Sequence, residues 1–131
     1  MRFLLKLFIS IFIIMVVSSC TNEVGEEALF ITEAPVQTAT VVTNADRSVT
    51  FNARAVWFSD CGKYHHFEMD STGREVFVKV YGSQLINAYC DEVLTIINGE
   101  FTINTDSSGE YLLRFWVNDD VTVDRTVIVN D

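Results

Sequence analysis

The densest group of side chains able to do chemistry is Asp60-Cys61-Gly62-Lys63-Tyr64-His65-His66. Two histidines beside a cysteine and a carboxylate are metal-ligand types. The spacing matches no structural zinc pattern. The segment reads as a strand, in which neighbouring side chains point to opposite faces. His65 and His66 are therefore expected to look away from one another, and no metal site is assigned, although these two are the candidates. Cation-binding carboxylates are also possible at Asp106 and Glu110, or at Asp119 and Asp120, but neither run has the spacing of a calcium loop. Ser, His and Asp are present without a nucleophile elbow, a P-loop or an H-E-x-x-H helix to bring them together. The expectation is a protein that is not an enzyme and carries no cofactor.

A second kind of chemistry is recognition by a surface. On the segment from Glu110, alternation sets Trp116, Arg114 and Leu112 opposite Tyr111, Leu113 and Phe115. On the segment from Val76, it sets Phe77 and Tyr81 opposite the valines. Exposed aromatics with an arginine mark binding patches, so Phe77, Tyr81, Arg114 and Trp116 form the expected binding surface.

The elements that must position these groups read as strands. Pro35 fits a strand entry, and Val36–Val42 a first strand. Ser48–Phe58 alternates most cleanly, with Val49, Phe51, Ala53, Ala55 and Trp57 on one side. Tyr64–Met69 follows. Asp70-Ser71-Thr72-Gly73 is expected to be a tight hairpin turn, and Asp106-Ser107-Ser108-Gly109 a second of the same type. Gly82–Asp91 is read as a loop carrying Cys90. Val93–Asn104 is read as one strand with a bulge at Asn98-Gly99. Glu110–Val117 and Val121–Val129 complete about seven strands, the rhythm of an all-β antiparallel sandwich.

The amino terminus is of a different character. Arg2 and Lys6 precede an apolar run from Leu7 to Val17, broken only by Ser10. This is the pattern of a secretory signal, and the run is too short to cross a bilayer, which takes about 20 apolar residues. Val17-Ser18-Ser19-Cys20 resembles the bacterial lipobox. That resemblance implies cleavage before Cys20 and acylation of its thiol, which ties the chain to a lipid bilayer. Thr21 stands where an inner-membrane retention aspartate is found in that family, which points to the outer membrane. Glu23, Glu26 and Glu27 resemble the acidic surface-export signals of lipoproteins in the Bacteroidota. The expected organisation is a signal peptide over 1–19, a lipidated acidic tether over 20–30 and one domain over 31–131.

Removing 19 of 131 residues leaves 112, with 7 basic against 18 acidic side chains. So acidic a domain cannot neutralise a row of phosphates, so nucleic acid is not expected as a partner. Besides the acylated Cys20 two cysteines remain, Cys61 and Cys90, and in an oxidising compartment an even pair reads as a disulfide.

Asp106-Ser107-Ser108-Gly109-Glu110-Tyr111, with Leu113 beyond, resembles the tyrosine corner of immunoglobulin-like domains. The resemblance implies that Gly109 opens the penultimate strand and that the Tyr111 hydroxyl bonds back to upstream backbone. Leu113 replaces the family's second cysteine, and Trp57 stands on the second strand of this reading rather than the third. Residues 36–130 are similar to small immunoglobulin-like lipoproteins of the Bacteroidota. The implied role is a non-catalytic binding or accessory domain at the cell envelope, meeting a protein or glycan partner. A periplasmic metal-handling lipoprotein using His65 or His66, and a small hydrolase or hydrolase inhibitor, are the alternatives.

Overall fold

The computed structural model describes residues 27–131, so the expected signal peptide, Cys20 and most of the expected acidic tether lie outside the described residues. Eight strands follow one another: β1 (Leu29–Glu33), β2 (Val36–Ala45), β3 (Ser48–Trp57), β4 (Lys63–Thr72), β5 (Glu75–Leu85), β6 (Thr95–Asn104), β7 (Gly109–Asn118) and β8 (Val121–Val129). They form two sheets, one of β2, β3 and β6 and one of β1, β4, β5, β7 and β8. The protein is an all-β sandwich.

The alternation on β3 does what its residue types require. Val49, Phe51, Ala53, Ala55 and Trp57 are all buried. Val76, Val78 and Val80 of β5 and Tyr111, Leu113 and Phe115 of β7 face them from the other sheet. Phe51, Phe101 and Phe115 pack with centroids 5.8–6.0 Å apart, and Phe67 meets Phe101 at 4.6 Å. Trp57 anchors one end of this core. Its Nε1 donates to Gln84 Oε1 at 2.9 Å. A Cβ on Gly62 would lie 2.1 Å from the indole on one side, and one on Gly82 would lie 2.3 Å away on the other. Both glycines are there to let backbone approach that ring.

Several expectations are corrected by pairing across the sheets. β1 falls partly within the expected tether. Leu29–Glu33 carries no alternation, but it pairs antiparallel with Tyr81–Leu85. Trp57 therefore stands on the third strand. β5 runs on through Leu85, so the loop that carries Cys90 is shorter than expected. The first hairpin turn is Gly73-Arg74, because Thr72 pairs with Glu75 and Asp70–Thr72 remain in β4. Gly73 has φ +63° at the first loop position, the requirement of a type II′ turn. The second D-S-x-G run closes no hairpin. It carries the chain from β6 in one sheet to β7 in the other. No bulge occurs at Asn98-Gly99, since β3 and β6 pair without a register shift from Ser48↔Asn104 to Trp57↔Thr95. Gly99 is needed for another reason: the Tyr64 ring lies where its Cβ would be, 2.3 Å away.

One pairing departs from the antiparallel rule. β5 and β7 are parallel over Glu75–Val78 and Leu112–Phe115. A parallel pair needs a crossover, and β6 in the opposite sheet supplies it. β1 and β7 share one edge of β5 end to end, while β4 takes the other.

Candidate functional site

The parallel register sets Phe77 beside Arg114. Because their inward neighbours are the buried core, Phe77, Lys79 and Tyr81 of β5 and Leu112, Arg114 and Trp116 of β7 all face outward. The four residues expected to form a binding surface thus share one face of the five-stranded sheet. β4 adds Asp70, Glu68 and His66 opposite Phe77, Lys79 and Tyr81. From the other edge β1 adds Glu33 opposite Tyr81. Alternation alone left their exposure open; each of the four is half-buried.

Their polar contacts fall into separate local groups. Lys79 Nζ sits 5.7 Å from the Trp116 ring centroid and 3.4 Å from Glu33 Oε1. The backbone N–H of Glu33, opposed by desolvation and helped by the Lys79 ammonium, holds the Glu33 carboxyl below its usual value. The Tyr81 hydroxyl donates to Glu68 Oε2 at 3.0 Å. Burial first, and that bond second, push the Tyr81 phenol above its usual range. Arg114 Nε lies 3.1 Å from Glu75 Oε1, an ion pair whose N–H is not aligned for a hydrogen bond. Trp116 Nε1 is buried without a hydrogen-bond partner among the described residues. Flat aromatic area beside held cations and carboxylates can stack on a ligand and orient it. Lys79, Glu33 and Glu68 were not singled out in the sequence. The period-two spacing from Phe77 and Tyr81 points to Lys79, but Glu33 and Glu68 reach the face only through strand pairing.

The histidines are not where simple alternation puts them. β4 and β5 change register between Tyr64↔Gly82 and His66↔Tyr81, so His65 is an extra residue in β4. Such a bulge turns adjacent side chains toward the same side. His65 Nδ1 and His66 Nδ1 are 2.6 Å apart, and the rings meet edge to face at 4.8 Å. The expectation that they look away from one another is overturned. A contact this short requires one ring to donate a proton to the other.

Cys61 and Cys90 are joined, with Cα atoms 5.6 Å apart. The bridge ties the β3–β4 connection to the β5–β6 connection. Asp60 stands beside it, and its Oδ1 accepts the backbone N–H of Asp91 at 2.9 Å. Asp60, Cys61 and Cys90 cluster within ligand distance, but both sulfurs are spent in the disulfide. Tyr111 donates its hydroxyl to the Ser107 carbonyl at 3.0 Å, and Gly109 has φ +124°. These residues brace the entry to β7.

At the disulfide end lies an apolar cluster that the sequence did not flag. Phe30 packs edge to face on Phe58 at 5.9 Å, and Leu85, Ile86 and Leu94, on β5 and the connection after it, are also exposed. A groove of about 400 Å³ runs there between Leu29, Lys63, Gln84 and Ala88. No protein-family model, curated protein or solved structure matches this chain.

Proposed function

We propose that this chain is a non-catalytic binding module held at the bacterial outer membrane by acylated Cys20, with the outer face of the five-stranded sheet as its binding surface. The observation that carries the reading is the convergence of Phe77, Tyr81, Arg114 and Trp116 on one face through the parallel β5–β7 register. The Cys61–Cys90 disulfide supports an exported location, because such bonds persist in oxidising compartments. The partner is a protein or a glycan, and both classes are read by aromatic and arginine side chains presented on a rigid sheet.

The test is photocrosslinking in living cells from a probe placed at Leu112, beside Arg114 on that face. A specific adduct is expected, and Trp116→Ala and Arg114→Ala should each abolish it while the folded fraction stays unchanged. Adducts that persist in both variants would place binding elsewhere, and no adduct under several growth conditions would remove the binding role. Metabolic labelling with a tagged fatty acid tests the anchor: incorporation should vanish in Cys20→Ser. Protease shaving of intact cells then reports which side of the membrane the domain faces.

A further inference from the structure

We infer that the bulge in β4 builds a copper(II) site from His65 and His66. The observation is the 2.6 Å approach of the two Nδ1 atoms on adjacent residues. Two nitrogens bound cis to one ion, each at 2.0–2.1 Å, stand about 2.9 Å apart. The pair therefore needs to open by only about 0.3 Å, with each ring turning by roughly 45° so that its lone pair aims at the ion and not at the other ring, to hold an ion in place of the shared proton. A tetrahedral ion asks for a wider span, about 3.3 Å. Right-angled nitrogen ligation is the tetragonal geometry of copper(II) and nickel(II), and copper(II) binds such nitrogens more tightly than its neighbours in the series.

A second observation concerns the support behind the pair. The His66 ring stacks flat on Tyr81, with centroids 4.5 Å apart and planes 5° from parallel. Tyr81 in turn donates its hydroxyl to Glu68. The other carboxylate oxygen of Glu68 lies 3.8 Å from His66 Nε2, on the far side of the ring from the shared proton. A carboxylate behind the distal nitrogen of a ligating imidazole is the usual brace of metal sites. The distance here is an ion-pair distance, longer than a hydrogen bond, and would shorten as the metal polarises the ring. His65 is exposed and brings its nitrogen in from solvent, so an ion has open access. The formal charge of −9 favours a cation's approach. The remaining coordination positions fall to water or to a group on a partner.

The experiment is titration of the full chain in detergent with copper(II) against a competing chelator, with electron paramagnetic resonance of the bound ion. One ion per chain is expected at micromolar affinity or tighter, with hyperfine splitting from two nitrogens. His65→Ala and His66→Ala should each weaken binding by at least roughly 10–100-fold, since even outer partners of metal ligands are worth that much. Tyr81→Phe keeps the stacked ring but frees Glu68, and should weaken binding by less. His65 is exposed, so His65→Ala folds and keeps the test decisive even if His66→Ala does not. Copper bound equally well by both histidine variants, binding weaker than micromolar, or a spectrum without two nitrogens would overturn the site.

Discussion

Replacing Cys61 and Cys90 together by serine removes the bridge between the two connections that flank Trp57. The two sulfurs are separated by 29 positions, so the closed loop holds about 30 residues. The loop-entropy relation gives a loss of about 3.6 kcal/mol at 25 °C for a loop of that size. The folded state has other means to hold its shape there. Asp60 N–H donates to the Asp91 carbonyl at 3.2 Å, Asp91 N–H returns to Asp60 Oδ1 at 2.9 Å, and Thr95 Oγ1 donates to the Ser59 carbonyl at 2.6 Å. The native geometry should therefore survive, and the loss should arise in the unfolded chain. Urea unfolding followed by tryptophan fluorescence is the assay. With a slope near 1.5 kcal/mol/M for a domain of this size, the midpoint should fall by about 2–3 M. The slope itself should rise, because an uncrosslinked chain exposes more surface. The melting temperature should drop by roughly 15–20 °C. A loss below about 1 kcal/mol would refute the entropic account. So would an altered near-ultraviolet signal from Trp57 in the folded variant, which would mean that the bridge shapes the native packing.

Gly82→Ala should destabilise by at least about 1–3 kcal/mol in the same assay, because its Cβ meets the buried Trp57 ring 2.3 Å away; an unchanged midpoint would mean the indole can move aside. Tyr111→Phe should cost about 1–1.5 kcal/mol, through the bond to the Ser107 carbonyl; its ring burial and the Arg74 guanidinium 5.4 Å from its centroid are retained. Burial raises the Tyr64 phenol, and burial with the Glu68 bond raises Tyr81. Their stabilising contribution is present below the ordinary tyrosine pKa and is lost as pH rises through the folded values. Alkaline absorbance titration should accordingly show two tyrosines ionising late, and Tyr81→Phe should remove one of them. Glu33 runs the other way: its carboxyl is lowered, so its contribution is present above the ordinary glutamate pKa and lost as pH falls. Lys79→Met should narrow that acid dependence while changing stability near neutral pH by no more than about 1 kcal/mol, as for other partly exposed pairs.

The sequence by itself determined the strands whose two sides differ in hydrophobicity. On β3, β5 and β7 a period-two pattern separates buried from outward residues, and the structure keeps that assignment at Val49–Trp57, Val76–Tyr81 and Tyr111–Trp116. The cysteine pair was legible for a similar reason, since with Cys20 set aside for the expected acylation only Cys61 and Cys90 are left to meet. Whatever depends on which strand lies beside which was decided by tertiary structure alone. Leu29–Glu33 has no alternation and becomes a strand because β5 offers it a free edge. Gly99 reads locally as a bulge, but the ring of Tyr64 on another strand is what excludes a side chain there. The two D-S-x-G runs are alike in residues, yet one joins paired strands and the other changes sheets. The histidines carry the same lesson for chemistry. Alternation sends neighbours to opposite faces only while the register holds, and one extra residue opposite Tyr81 brings His65 and His66 together. Pairing register is a property of two strands at once, so no reading of β4 alone contains it.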